Sequence, residues 1–387
     1  MDRRTLLKVM LNGIVMPVVP LKIAKAYADK GRRLLLVELS GANDGLNTVV
    51  PISDHRYREL RPNIGLKPSE VFDIGGGFAL HSAMNNLDKI WQDGELAIVQ
   101  GLGYPGANRS HFKSIALWET GGDGNRSRRT GWLTDDIESM NASAELDAHG
   151  ISLDGGMGVF ASPGGLWLSM ASAQEFSRLS SQVIKKTTSD NAALNMLLDR
   201  ANTLNSSMEK ISRKLSLKSQ INFRVRGRKL AAQLGTAAQL IHAGIDTPVI
   251  KVQLDGFDTH EGQPGRHRRL LRELGRSLGD FRNGMKRIGQ WDNTLIMTYS
   301  EFGRRTVENH TDGTDHGTAA PHFIMGGAVQ GGILGNHPDL GALVEGDMQF
   351  TMDYRAVYER VLSDWFGIRE NKFASFRNKN LSGMIKL

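Results

Sequence analysis

The sequence predicts an α/β protein built on a mostly parallel sheet. Short apolar runs of strand length recur at residues 34–39, 96–99, 248–254 and 293–299, and each is broken by glycine or polar residues instead of continuing as helix. Stretches with helical spacing lie between them, the longest running through Leu270, Leu274, Leu278, Phe281, Met285 and Ile288. With 40% hydrophobic residues and 44 glycines in 387, the chain is too apolar for a disordered protein and too rich in glycine for a helical bundle.

The N-terminus reads as an address. Arg3-Arg4, the mostly apolar residues 10–21 and the small residues of Ala26-Tyr27-Ala28 resemble a twin-arginine export signal, with Asp29 as the first mature residue. The expected domains are therefore a signal at 1–28 and an α/β domain at 29–387, carried by the twin-arginine export machinery to the periplasm or beyond. The apolar stretch is about a dozen residues, interrupted by Asn12 and two prolines, and no other stretch reaches the ~18 needed to cross a bilayer, so no stable membrane span is expected. The signal holds five basic residues and one acidic residue, so the formal charge of +7 falls to +3 without it. No helix-turn-helix, zinc finger or aromatic-basic interleaving accompanies Arg126, Arg128 and Arg129, and no nucleic-acid partner is expected. The absence of cysteine excludes disulfides, thiolate nucleophiles and Cys-ligated metals.

The first strand ends in Ser40-Gly41-Ala42-Asn43-Asp44-Gly45, which places Asp44 at the C-terminal end of a core strand. Residues 57–60 and 71–80 read as irregular connections, and 84–91 has helical spacing. After the second strand comes Asn108-Arg109-Ser110-His111, with Ser110 at the N-cap of a helix and its hydroxyl placed where an anion or a nucleophile would be stabilised. Another helix is expected at 132–137, a hairpin or mobile loop at 153–167, and a helical insertion or cap at 170–244. The third strand runs into Asp258-Thr259-His260, followed by the long amphipathic helix, on which His267 reads as a surface residue. The fourth strand delivers Glu301, and its polar return loop carries Asp315-His316 before a further strand at 322–325. A helix begins near Asp353, and 378–387 reads as weakly ordered.

A parallel sheet gathers the C-terminal ends of its strands on one edge, so Asp44, Asp258, His260, Glu301, Asp315 and His316 are candidate metal ligands. Mixed carboxylates and imidazoles suit Zn²⁺ or another borderline divalent ion such as Mn²⁺, whereas an all-oxygen set suits Mg²⁺ or Ca²⁺.

The segments LLLVELSGANDGLN, NRSHF, DGFDTH, TYSEFGRR and TDHGTAAPHF, together with the export signal, resemble the DUF1501 family, exported bacterial proteins similar to the sulfatase and alkaline phosphatase superfamily. The resemblance implies an alkaline-phosphatase-like three-layer sandwich and a metal-dependent hydrolase of phosphate or sulfate esters, on a small-molecule or polysaccharide substrate. It further implies Asp44 as the first-strand ligand, Asp258, His260 and His316 around one metal and Glu301 on another. Ser110 falls at the nucleophile's place, Arg109 is placed to bind non-bridging oxygens, and His111 is a further catalytic candidate. Two features depart from the superfamily pattern. One residue separates Asp258 from His260, and Glu301-Phe302 stands where Asp-His is usual, so His111, Asp315 or His322 are alternative ligands. A binding or envelope-assembly protein that keeps the fold without turnover is the competing expectation.

Overall fold

Residues 33–40 are buried on both faces, which is what a central strand with helices above and below it requires. The structure is a computed structural model that describes residues 31–124, 126–140, 146–180, 190–218, 221 and 223–386. The expected export signal lies outside the described residues. The strands are β1 (Arg33–Ser40), β2 (Val49–Val50), β3 (Val71–Gly75), β4 (Phe78–His81), β5 (Leu96–Gly103), β6 (Gly150–Ser152), β7 (Trp167–Ser169), β8 (Val249–Asp255), β9 (Thr294–Tyr299), β10 (Ala320–Met325), β11 (Gly332–Leu334) and β12 (Met352–Asp353). The helices are α1 (Arg56–Leu60), α2 (Asp88–Gln92), α3 (His111–Thr120), α4 (Thr134–Met140), α5 (Ala173–Ser180), α6 (Ala192–Leu217), α7 (Lys229–His242), α8 (Gln263–Arg287) and α9 (Arg355–Arg360).

The main sheet has the order β11-β5-β10-β9-β1-β8-β6-β7, with β12 also pairing β5. Every pairing is parallel except those of β10, which runs against both β5 and β9. Alternate residues of β1 face opposite layers, as a strand's period of two dictates. Leu35, Val37 and Leu39 pack with Leu234 of α7 and Leu271, Leu274, Leu278 and Phe281 of α8. On the other face, Leu34 and Leu36 pack with Leu117 and Trp118 of α3 and Tyr358 of α9. The result is a three-layer α/β sandwich with a largely parallel sheet, as expected. Among the described residues no helix is long and apolar enough to cross a membrane.

Several local expectations are corrected. Residues 71–80 form β3 and β4, which join β2 in a small antiparallel sheet, because Leu80 pairs with Val49 and Phe72 and is fully buried between them. Residues 153–167 are not a hairpin. Val159 and Phe160 sink into the core, and the chain re-enters the sheet as β7, parallel to β6. The C-terminal stretch is anchored by buried Leu381, Met384 and Ile385 and by Lys386 N–H donating to Ala328 O at 2.7 Å. His267 is 2% exposed, because the helix turns it inward onto Asn43, whose Oδ1 lies 2.9 Å from His267 Nε2.

Candidate metal centre

Because β1, β5, β8 and β9 run the same way, their C-terminal ends share one edge of the sheet. The reversal of β10 brings the loop before it, with Asp315 and His316, to that same edge. Five chain segments thus meet there, each carrying polar side chains.

Four side chains converge. Nε2 of His316 lies 3.0 Å from Nε2 of His111 and 2.9 Å from Nε2 of His260. Oδ1 of Asp258 stands 3.3 Å from His316, 3.0 Å from His260 and 3.6 Å from His111. One ligand atom each from His111, Asp258 and His316 lies within 4.8 Å of the others. Ligands held 2.0–2.1 Å from a tetrahedral Zn²⁺ are about 3.3 Å apart, a spacing these edges approach, so the cluster could hold a metal ion.

The outer ring nitrogens fix the tautomers. A carbonyl oxygen can only accept, so Nδ1 of His316 donates to Arg109 O at 2.8 Å and its Nε2 is bare. By the same logic Nδ1 of His111 donates to Glu301 Oε1 at 2.7 Å, and Nδ1 of His260 to Asp315 Oδ1 at 3.1 Å. Three nitrogen lone pairs therefore face a shared space beside a carboxylate oxygen, an arrangement that repels itself until a cation or a proton enters. Carboxylate or carbonyl partners behind ligating histidines are what orient them in metal sites. The ring of Phe302, centred 5.0 Å from His111 and 4.9 Å from His316, walls the two imidazoles in place.

Glu301 and Asp315, expected as ligands, stand behind the imidazoles of His111 and His260, on their Nδ1 side. The Glu301 carboxylate also accepts from Gly41 N–H at 2.9 Å, which turns it away from the converging atoms. His111, expected as a catalytic group and as an alternative ligand, brings its Nε2 into the cluster. Asp44 is not in the cluster. Its carboxylate is buried against the Arg61 guanidinium at 2.6 Å and also accepts from Gln263 Nε2 and Leu46 N–H. His322, the other alternative, sits in β10 with its ring 5.1 Å from Trp118, and burial lowers its pKa to about 3. The Arg109 side chain pairs with Asp347. Ser110 is the N-cap of α3 but its hydroxyl makes no capping bond, and its N–H donates to Asn108 Oδ1 at 2.8 Å.

Electrostatics follow from these contacts. The hydrogen bond to Glu301 raises the His111 pKa, while burial lowers that of His316. Burial works against the charged form of Asp258, yet the Arg304 guanidinium at 2.6 Å, with His260, brings it down to about 2. Glu301 is likewise opposed by burial and lowered by His111.

Sequence reasoning missed Arg61, Arg304 and His267. Arg304 donates to Ala42 O at 2.8 Å, Thr314 O at 2.9 Å and Phe257 O at 3.1 Å as well as to Asp258, so one buried guanidinium ties together the loops after β1, β8 and β9. The only signal for it was an arginine pair straight after Glu301-Phe302-Gly303, which is also how a solvated turn reads.

The chain is similar to a protein of the alkaline phosphatase superfamily from Vibrio parahaemolyticus, at 10% identity over 79% of this chain and 62% of that one, with a TM-score of 0.37. It is similar to a sulfatase from Pseudoalteromonas sp. at 13% identity, over 82% and 68% of the two chains, with a TM-score of 0.38. A lipoteichoic acid synthase from Listeria monocytogenes matches at 12% identity, over 84% and 76%, with a TM-score of 0.36. No curated protein matches the chain in sequence. The family described as "Protein of unknown function (DUF1501)" matches residues 100–372, well over half of the sequence, and the chain belongs to that family.

Proposed function

We propose that the protein is an exported, metal-dependent hydrolase of phosphate or sulfate esters that works with a single divalent ion. The observation that carries this is the set of three imidazoles whose Nδ1 protons are all committed outward, leaving Nε2 of His111, His260 and His316 aimed together beside Asp258 Oδ1. Nitrogen donors with one carboxylate fit Zn²⁺ best, and Mn²⁺ next. A divalent ion held by these four side chains would supply Lewis acidity toward a phosphoryl or sulfuryl oxygen. Glu301, Asp315 and the Arg109 carbonyl keep the imidazoles in register. Ser110, one residue before His111 and with its hydroxyl free of a capping bond, is the nucleophile of this reading. Its oxygen bonds to phosphorus or sulfur as the ester alcohol departs with the serine proton, and water then cleaves the phospho- or sulfo-serine and restores the hydroxyl. A single ion follows from Arg61, whose charge neutralises Asp44 where a second metal would otherwise do so. Sulfatase-type maturation does not apply, since Ser110 is followed by His-Phe-Lys and the chain has no cysteine. Export by the twin-arginine machinery to the periplasm rests on Arg3-Arg4 and the residues after them.

The test starts with protein purified without chelator. One ion per chain is expected, with hydrolysis of aryl phosphate or aryl sulfate that Ser110→Ala abolishes while keeping the metal. No bound metal, and no change in melting temperature on adding zinc, manganese or calcium, overturns the reading. One observation favours a second reading, an envelope binding or assembly protein without turnover: the Arg109 side chain, expected on substrate oxygens, is paired with Asp347. Metal retained at one per chain with no hydrolysis across both ester classes would select it.

A further inference from the structure

Away from the converging histidines, an open groove of about 500 Å³ runs between the start of α7 and one exposed side of α8. Five arginines line it: Arg228 at the N-cap of α7, and Arg266, Arg269, Arg272 and Arg276 along α8. Steps of three, three and four residues keep the last four on one helical face, and ten residues of helix span about 15 Å. All four are exposed.

What sets the groove apart is that its guanidiniums are left without ion-pair partners. Among the described residues, none of these five guanidiniums lies within salt-bridge distance of a carboxylate, whereas Arg282 farther along the same helix pairs with Asp93 and Glu95, and nearby Arg226 pairs with Asp280. The acid within the groove, Glu273, spends Oε1 on the backbone N–H groups of Arg228 at 3.0 Å and Leu230 at 3.2 Å. It fixes the start of α7, and five guanidiniums share the groove with this one carboxylate. Like charges gathered in a concavity raise the local concentration of anions, and the guanidinium fork matches planar carboxylate and tetrahedral sulfate oxygens in pairs.

We propose that this groove docks a linear polysaccharide carrying sulfate or carboxylate groups. Its lining contains no aromatic side chain, and Leu270 is its one large apolar residue, so it lacks the stacking platforms that hold single-stranded nucleic acid. It is concave and has no apolar rim, which fits an extended chain better than a membrane surface. The end of β8 joins it to the metal centre: Gly256 lines the groove, and two residues later Asp258 enters the cluster. A polymer seated there is held beside that strand end, and the proposal stands whether or not the centre turns over an ester.

The experiment is fluorescence anisotropy of a labelled heparin hexasaccharide with the mature full-length chain, run alongside a labelled oligothymidylate of equal charge and vesicles of phosphatidylglycerol and phosphatidylcholine. The hexasaccharide is expected to bind, more weakly as salt rises, and tighter than the oligothymidylate. Arg269→Ser with Arg272→Ser is expected to weaken it at least tenfold. Arg268→Ser with Arg200→Ser, two exposed arginines outside the groove, removes the same charge and is expected to change affinity less than threefold. If the groove pair fails to fold, Arg269→Lys with Arg272→Lys keeps the charge, loses the fork, and is expected to weaken binding severalfold. Four results overturn the proposal: no hexasaccharide binding at low salt, equal losses in both serine pairs, oligothymidylate bound as tightly or tighter, or vesicle binding without hexasaccharide binding.

Discussion

Arg61 reaches Asp44 at 2.6 Å with both side chains out of solvent, and it also donates to Thr306 O at 2.9 Å and Arg305 O at 2.9 Å. Removing one partner of such a pair strands a buried charge, which costs about 3–5 kcal/mol. Asp44→Ala should therefore lower stability by that much in denaturant melts, while metal content stays at one ion per chain. Loss of the metal in this variant would mean that Asp44 is a ligand after all. Glu301 predicts a different pattern, because it acts through His111. Glu301→Gln keeps an oxygen for Gly41 N–H but removes the negative charge behind the imidazole, so metal affinity should drop roughly 10–100-fold in chelator competition with little change in melting temperature. An unchanged affinity would demote Glu301 to a structural contact.

Among the elements, α8 shows why helix propensity alone misleads. Gly275 and Gly279 lie inside it, where each costs about 1 kcal/mol relative to alanine. A Cβ at Gly275 would come within 2.8 Å of Met84 Cα, and one at Gly279 within 2.9 Å of Asn86 O, so the helix can seat on that turn only without side chains there. Gly275→Ala should destabilise by about 1–3 kcal/mol through overpacking. Gly235 in α7 meets nothing within 4 Å, and Gly235→Ala should stabilise by up to about 1 kcal/mol. Urea midpoints moving in the same direction for both would refute this account of the packing. The same distinction sets what the sequence could reveal. The strands β1, β5, β8 and β9 were legible because each is a short run dominated by apolar residues, and Asp258, His260 and His316 were legible because they follow those strands or return to the same edge. The division of labour among them was not. Whether a carboxylate binds a metal, orients an imidazole or pairs with an arginine depends on partners far off in the sequence, such as Arg304, 46 residues from Asp258, and His111, 190 residues from Glu301. The inward face of His267 was hidden for a related reason: a charged neighbourhood on α8 masks one polar residue that meets Asn43 instead of water.

Across the whole molecule, buried neutral histidines set the response to acid. Burial lowers His81, His267 and His337 to about 4 and His322 to about 3, against about 6.5 in the unfolded chain. Between those values the unfolded chain binds protons that the folded one refuses, so each contributes stability that is complete above pH 6.5 and is lost as pH falls toward 4 or 3. Those differences correspond to about 3–5 kcal/mol per residue. Glu119, raised by burial to about 7, and Asp136, raised to about 6, act with the opposite sign: the unfolded carboxyls ionise first, so these groups cost stability as pH rises. The two sets overlap, and the wild-type curve alone cannot separate them. His322 offers the clean difference, since Nδ1 has no partner among the described residues and the ring packs on Trp118. His322→Phe keeps an aromatic ring, a larger one, and removes the titrating group. Its stability in chelator at pH 7.5 should lie within about 1–3 kcal/mol of the wild type, the cost of the larger ring in a packed core. As pH falls from 6.5 to 4.5 the wild type should lose progressively more than the variant, toward a gap on the order of 3 kcal/mol, read from urea midpoints at each pH. Parallel curves would mean that His322 accepts its proton in the folded core, and acid sensitivity would then have to arise from the carboxylates, Asp258 at about 2 foremost, whose losses begin only below pH 4.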